Sequence, residues 1–142
     1  MPINIAFHHI KGVHTLKMKR CIQNTITDDV FKYFDDIKYL NISYCGTGNI
    51  TNLAFKYFTN FEVLNMKGCY NSNITDQGLE CLNNLKILNI KYCTQDGITC
   101  KIFDLLKNLT KLSISINNKT GITKEKLLNL ICDIKIHDYY TL

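Results

Sequence analysis

The chain reads Ile37-Lys38-Tyr39-Leu40-Asn41-Ile42 and then, past a polar stretch, Thr51-Asn52-Leu53-Ala54-Phe55-Lys56-Tyr57-Phe58. In the first segment apolar residues alternate around Leu40, the period of a short strand whose side chains point to opposite faces. In the second they recur at three and four, the period of one face of a helix. One strand and one helix cannot bury their own apolar surface, so the partners must come from elsewhere in the chain.

They come from copies of the same pattern. Cys21, Cys45, Cys69 and Cys93 stand 24 residues apart, and Asn117 takes the next place. Leu16, Leu40, Leu64, Leu88 and Leu112 keep that step, with Ile136 read as the continuation. So do Met18, Ile42, Met66, Ile90 and Ile114, and so do Ile26, Ile50, Ile74, Ile98 and Ile122, each followed by Thr. Phe34, Phe58, Leu82, Leu106 and Leu130 close the unit. A period in this range is the signature of stacked strand–helix units. The column Thr27, Thr51, Thr75, Thr99 and Thr123 falls where a helix N-cap belongs. Asp28, Asp29 and Asp76 follow in a first turn, where the helix dipole favours negative charge. Stacking sets strands about 4.8 Å apart and helices about 8–10 Å apart, so the stack is expected to curve with the parallel sheet on its concave side.

Composition agrees with a single packed domain. A hydrophobic content of 46% in 142 residues supports a continuous core rather than disorder. No apolar run approaches the roughly 20 residues of a membrane helix. Met1 to Gly12 lack the apolar run and cleavage site of a signal peptide. The expected location is the cytoplasm, the host's if the source is viral. Asn, Ile and Lys supply 51 residues, a bias expected of an AT-rich genome, as in some protists and large DNA viruses, and uninformative about function.

Candidate chemistry is sparse. Seven cysteines contain no CxxC pair, so zinc-type ligation is not indicated. The column Cys21, Cys45, Cys69 and Cys93 is expected to be reduced and buried, each weak S–H meeting a loop carbonyl. Cys81, Cys100 and Cys132 fall in helical segments. His8, His9 and His14 cluster without further ligands and are read as exposed or capping groups. No acid pair, Gly-rich phosphate loop or Ser/His/Asp set stands out, so no catalytic residue, metal ligand or cofactor is expected, and the chain is not expected to be an enzyme.

The series Leu64-Asn65-Met66-Lys67-Gly68-Cys69, then Ile74-Thr75-Asp76-Gln77-Gly78-Leu79, resembles the cysteine-containing leucine-rich repeats. That family is typified by the F-box substrate receptors of ubiquitin ligases, whose repeats hold the target. The resemblance runs from about Val13 to Ile136, while the F-box itself is absent from the residues ahead of the first unit. It implies an α/β leucine-rich-repeat solenoid, a single domain over 1–142. Residues 1–12 would be an N-terminal cap or partial repeat, 13–133 five strand–helix repeats, and 134–142 a C-terminal cap. It also implies a role in substrate recognition, or as a decoy, linked to ubiquitin ligases.

Charge points to one face. The windows Val13–Cys21, Ile37–Cys45, Phe61–Cys69, Leu85–Cys93 and Leu109–Asn117 hold eight basic residues and one acid, Glu62, whereas the rest of the chain holds nine and eleven. Since Leu16 and Met18 point into the core, the alternate columns should face outward. These are Thr15, Tyr39, Val63, Ile87, Lys111; then Lys17, Asn41, Asn65, Asn89, Ser113; then Lys19, Ser43, Lys67, Lys91, Ser115. Arg20, Tyr44, Gly68, Tyr92 and Ile116 lie at the strand exits. A stacked amide ladder is expected along Asn41, Asn65 and Asn89. The expected partner site is Lys17, Lys19, Tyr39, Asn41, Tyr44, Asn65, Lys67, Asn89, Lys91 and Tyr92, gripping an acidic segment of a protein. The alternative is polyanion or nucleic-acid binding by the same basic face. It is disfavoured because the cations are nearly all Lys, the pI is only about 8.8 and no nucleic-acid motif is present.

Overall fold

The structure is a computed structural model that describes residues 10–46, 48–117, 120–130 and 133–137. The expectations for His8, His9 and Cys132, and those for the caps over residues 1–9 and 138–142, lie outside the described residues.

Six short strands follow one another: β1 (Thr15–Lys17), β2 (Tyr39–Asn41), β3 (Val63–Asn65), β4 (Ile87–Ile90), β5 (Lys111–Ser115) and β6 (Asp133–His137). They pair in chain order into one parallel sheet. A short helix precedes each of β2 to β6, so the protein is α/β. The register is that of the sequence columns: Leu16, Leu40, Leu64, Leu88 and Leu112 are successive cross-strand partners. Leu40, Leu64 and Leu88 are fully buried on the helix side.

The last step corrects the expected column. Leu112 pairs with Ile134 and Ile114 with Ile136, so the spacing there is two residues shorter and Ile136 belongs to the Met18 column. The connection is shorter by an even number. Because strand side chains alternate with period two, the apolar residues of β6 still face the core.

The helices are short, one or two turns each. Asp28–Tyr33 and Asn52–Tyr57 are 3-10 helices, while Asp76–Leu79, Ile102–Leu105 and Lys124–Leu128 are α-helical. In the first two, Phe31 and Phe34, and Phe55 and Phe58, are three apart, which is one 3-10 turn. Phe58 stacks on Phe61 with centroids 4.8 Å apart and meets Phe31 edge-on at 5.6 Å. Each such buried ring contributes about 1.5–3 kcal/mol.

Capping is partial. The Thr51 hydroxyl accepts from Leu53 N–H at 3.1 Å and that of Thr123 from Lys126 N–H at 3.4 Å, but Thr27 and Thr75 do not cap their own helices. The first-turn column instead ties each helix to the next. Asp28 accepts the Thr51 N–H at 2.7 Å and its hydroxyl at 2.6 Å. Asp76 accepts the corresponding pair from Thr99. Asn52 stands between them, accepting from Thr75 N–H and donating to Thr75 Oγ1, both at 2.8 Å. At each junction one of the two bonds takes up a backbone N–H at the start of the next helix and the other joins two side chains.

The cysteine column closes the other end of the strands. Cys45 Sγ donates to the Met18 carbonyl at 2.9 Å, Cys69 to Cys45 at 2.9 Å and Cys93 to Met66 at 3.0 Å. Cys45 and Cys69 are buried, Cys21 and Cys93 partly so, and all four are free thiols. Burial pushes the Cys45 thiol up to about 11 and Cys93 up to about 12, and raises Cys69 as well. Among the described residues, no helix is long and apolar enough to cross a membrane.

Candidate functional site

With the leucines and phenylalanines inward, the opposite face of the sheet carries the expected polar columns. Lys17, Asn41, Asn65, Asn89 and Ser113 are cross-strand partners in one column, and Tyr39 lies in the neighbouring one with Val63 and Ile87. The shortened last step adds Asp133 and Lys135 to these rows, which the 24-residue reading placed elsewhere. An acid therefore stands beside Lys111 at the far end of the face.

The amide ladder is not formed. Asn41 Oδ1 accepts from Ser43 N–H at 3.0 Å, Asn65 Oδ1 from Lys67 N–H at 3.1 Å and Asn89 Oδ1 from Lys91 N–H at 3.1 Å. A side-chain bond to the backbone two residues on wins over the neighbouring amide because it also fixes the turn that ends the strand. Among the described residues, none of the three amide nitrogens donates within the protein.

Those turns set the site. Cys21 N–H bonds Met18 O, Cys45 bonds Ile42, Cys69 bonds Met66 and Cys93 bonds Ile90, each closing a four-residue turn. The third residue of each turn is left-handed: Arg20 at φ 58, Tyr44 at 59, Gly68 at 63 and Tyr92 at 61. Glycine is the residue this conformation favours, and a bulky side chain there costs about 1–3 kcal/mol. Three of the four positions nevertheless carry large side chains, all on this face.

They gather a strip. Lys19 Nζ lies 5.9 Å from the Tyr44 ring centroid, Arg20 Cζ 5.7 Å and Lys67 Nζ 5.6 Å. Lys67 is also 5.8 Å from the Tyr92 ring, and Lys91 is 4.5 Å from it. Lys19, Tyr44, Lys67, Tyr92 and Lys91 are thus brought together, with Asn41, Asn65 and Asn89 beside them. Lys17 and Tyr39 share the face without joining the strip's cation–ring contacts.

Ser43 and Ser115 correct the third column. They are 3% and 4% exposed rather than outward-facing, and the Ser115 hydroxyl accepts from Tyr92 N–H at 3.1 Å. Arg20 was missed as a site residue. Its signal was its place in the column of Tyr44 and Tyr92. Glu62, the acid of the strand windows, is paired with Lys86 at 3.2 Å. His14 Nδ1 meets the Asp36 carbonyl at 3.0 Å, a link to the turn before β2. Among the described residues, no cluster of His, Cys, Asp or Glu is placed to hold a metal ion.

A scan against protein-family models and a search among curated proteins both return no match.

Proposed function

We propose that the chain is a leucine-rich-repeat solenoid whose sheet lines the concave side, and that it binds a protein partner there through an acidic segment. Four observations support the reading. The strands stack in sequential parallel register, β1 to β5 at the spacing of the sequence repeat. The core side takes every leucine of the column. The opposite side concentrates cations and rings, with amide donors left over. The observation that carries the reading is the left-handed backbone at Arg20, Tyr44 and Tyr92, since folding alone would favour glycine there. A side chain retained against that cost serves something other than the turn.

The rings offer contact area and the cations offer complementarity that steers an acidic partner. The resemblance to the repeat domains of F-box receptors suggests that the partner is a substrate, held as a recognition or decoy component.

The test is a titration of labelled Asp/Glu-rich peptides containing an aromatic residue, beside single-stranded DNA of equal charge, across a salt series. The reading expects saturable peptide binding with a shallow salt slope. DNA binding that exceeds peptide binding and falls steeply with salt would assign the face to polyanions instead.

A further inference from the structure

We infer that the segment held on this face is a polyproline II helix of the form Pro-x-x-Pro with an acid between the prolines, one proline on the Tyr44 ring and the other on the Tyr92 ring; the inference rests on the protein-binding reading of the same face.

The spacing of the rings carries it. At the exits of β2, β3 and β4 the column reads Tyr44, Gly68, Tyr92, so a ring recurs at every second strand. The pairing holds to these exits: Tyr44 N–H bonds Lys67 O and Gly68 N–H bonds Lys91 O, both at 2.8 Å. Two strand steps of about 4.8 Å therefore set the two tyrosines about 9.6 Å apart. Lys67 Nζ stands 5.6 Å from one ring centroid and 5.8 Å from the other, so the centroids are no farther apart than those two lengths together. Gly68 brings no side chain between the rings, and a Cβ there would come within 2.5 Å of the Tyr44 ring.

The period of the rings selects the conformation of the segment. A polyproline II helix has three residues per turn and rises about 3.1 Å per residue, so every third side chain returns to the same side after about 9.3 Å. An extended strand returns after about 6.4–6.8 Å, which fits neither one strand step nor two. An α-helix comes near at its seventh residue, about 10.5 Å, but its carbonyls are bonded internally. This face needs carbonyls. The side-chain oxygens of Asn41, Asn65 and Asn89 bond their own backbone, while their amide nitrogens donate to nothing among the described residues. Polyproline II carbonyls have no internal partner. Asn41 and Asn89, like the two rings, are two strands apart.

Charge places the acid. Lys67 reaches both rings, so a carboxylate at either middle position of the segment meets its ammonium. Lys19 beside Tyr44 and Lys91 beside Tyr92 extend the same complementarity to acids flanking the prolines.

The experiment is fluorescence anisotropy with labelled acidic peptides in which two prolines are separated by one, two or three residues, beside a control with both prolines replaced by alanine. The Pro-x-x-Pro peptide is expected to bind about tenfold more tightly than the other three, because ring contact and a preformed backbone both add to affinity. Tyr92→Ala should erase that preference while leaving the alanine control within about twofold, since the cations are kept. Tyr44→Ala should do the same, and far-UV circular dichroism checks that each variant folds. Equal affinity across the spacings, or tightest binding by the alanine control, overturns the polyproline inference and leaves the protein-binding reading standing. A spacing preference that survives both tyrosine variants overturns the seating on the rings. Failure of all four peptides to bind overturns both readings.

Discussion

The ring of Tyr44 rests on the α-carbon of Gly68: a Cβ built on Gly68 would stand 2.5 Å from both Cδ1 and Cε1 of that ring. The glycine therefore supplies a left-handed turn, φ 63, and also the space that lets the preceding tyrosine lie flat. Gly68→Ala should lower stability by about 1 kcal/mol for the backbone and further for the displaced ring. In a Tyr44→Ala background only the backbone part should remain. A double-mutant cycle by urea unfolding measures the difference. Equal penalties in both backgrounds would show that the ring does not lie on the glycine.

Tyr44 and Tyr92 make the opposite prediction. Tyr44→Gly or Tyr92→Gly removes the left-handed penalty and should leave stability unchanged or raise it by about 1 kcal/mol, offset in part by lost ring contacts. The same changes should weaken partner binding severalfold. Thermal melts and affinity are read on the same preparations. A loss of stability of several kcal/mol with binding intact would make the tyrosines structural.

Much of this was legible in the chain because one unit is written repeatedly. A leucine every 24 residues fixes the register of five strands before any coordinate is known, since a slip by one would turn Leu40 and Leu64 to solvent. The last step was not legible, because Ile134 and Ile136 have the same alternation and either suits the column. Helix type was not legible either, as Phe31/Phe34 and Phe55/Phe58 fit a 3-10 and an α turn alike. The Asn ladder failed because stacking alone does not say whether an amide bonds its neighbour or its own backbone. Arg20, Tyr44 and Tyr92 do not read as turn residues. Only Gly68 in their column hinted at the conformation they share.

Gln95 marks a place where the pattern is imperfect. It is 7% exposed, and neither amide atom has a hydrogen-bond partner among the described residues. Its counterpart one unit earlier, Asn71, accepts from Asn73 N–H at 3.0 Å and donates to the Ile50 carbonyl. Gln95 is one methylene too long for that geometry. Gln95→Asn should form the equivalent bonds to Gly97 N–H and Ile74 O and raise stability by about 1–3 kcal/mol. Urea unfolding decides it; an unchanged or lower midpoint contradicts the proposed pairing.

The thiol column predicts a sign for alkaline pH. Burial raises Cys45 to about 11 and Cys93 to about 12 from an ordinary value of 9.0. The folded state therefore holds protons that the unfolded state releases. The contribution is full below the unfolded value and is lost as pH rises through the folded ones. Stability should decline above about pH 9, and the decline should be shallower in a Cys45→Ala, Cys93→Ala variant. Identical slopes for the two proteins would remove the thiols from the explanation.

The sheet face is the centre of the account, and the helix side provides a matched control. Lys32 lies 5.2 Å from the Tyr33 ring and Lys56 5.0 Å from Tyr57, the same lysine-on-tyrosine chemistry on the opposite side of the molecule. The decisive measurement is the affinity of the tightest acidic peptide for Lys67→Glu with Lys91→Glu, set against Lys32→Glu with Lys56→Glu. Both pairs should stay folded, since exposed charges change stability by under about 0.5 kcal/mol and partly covered ones little more. The account predicts that the sheet-face pair abolishes binding and the helix-side pair leaves it nearly unchanged. Binding lost with the helix-side pair and kept with the sheet-face pair would place the functional surface on the other side of the fold.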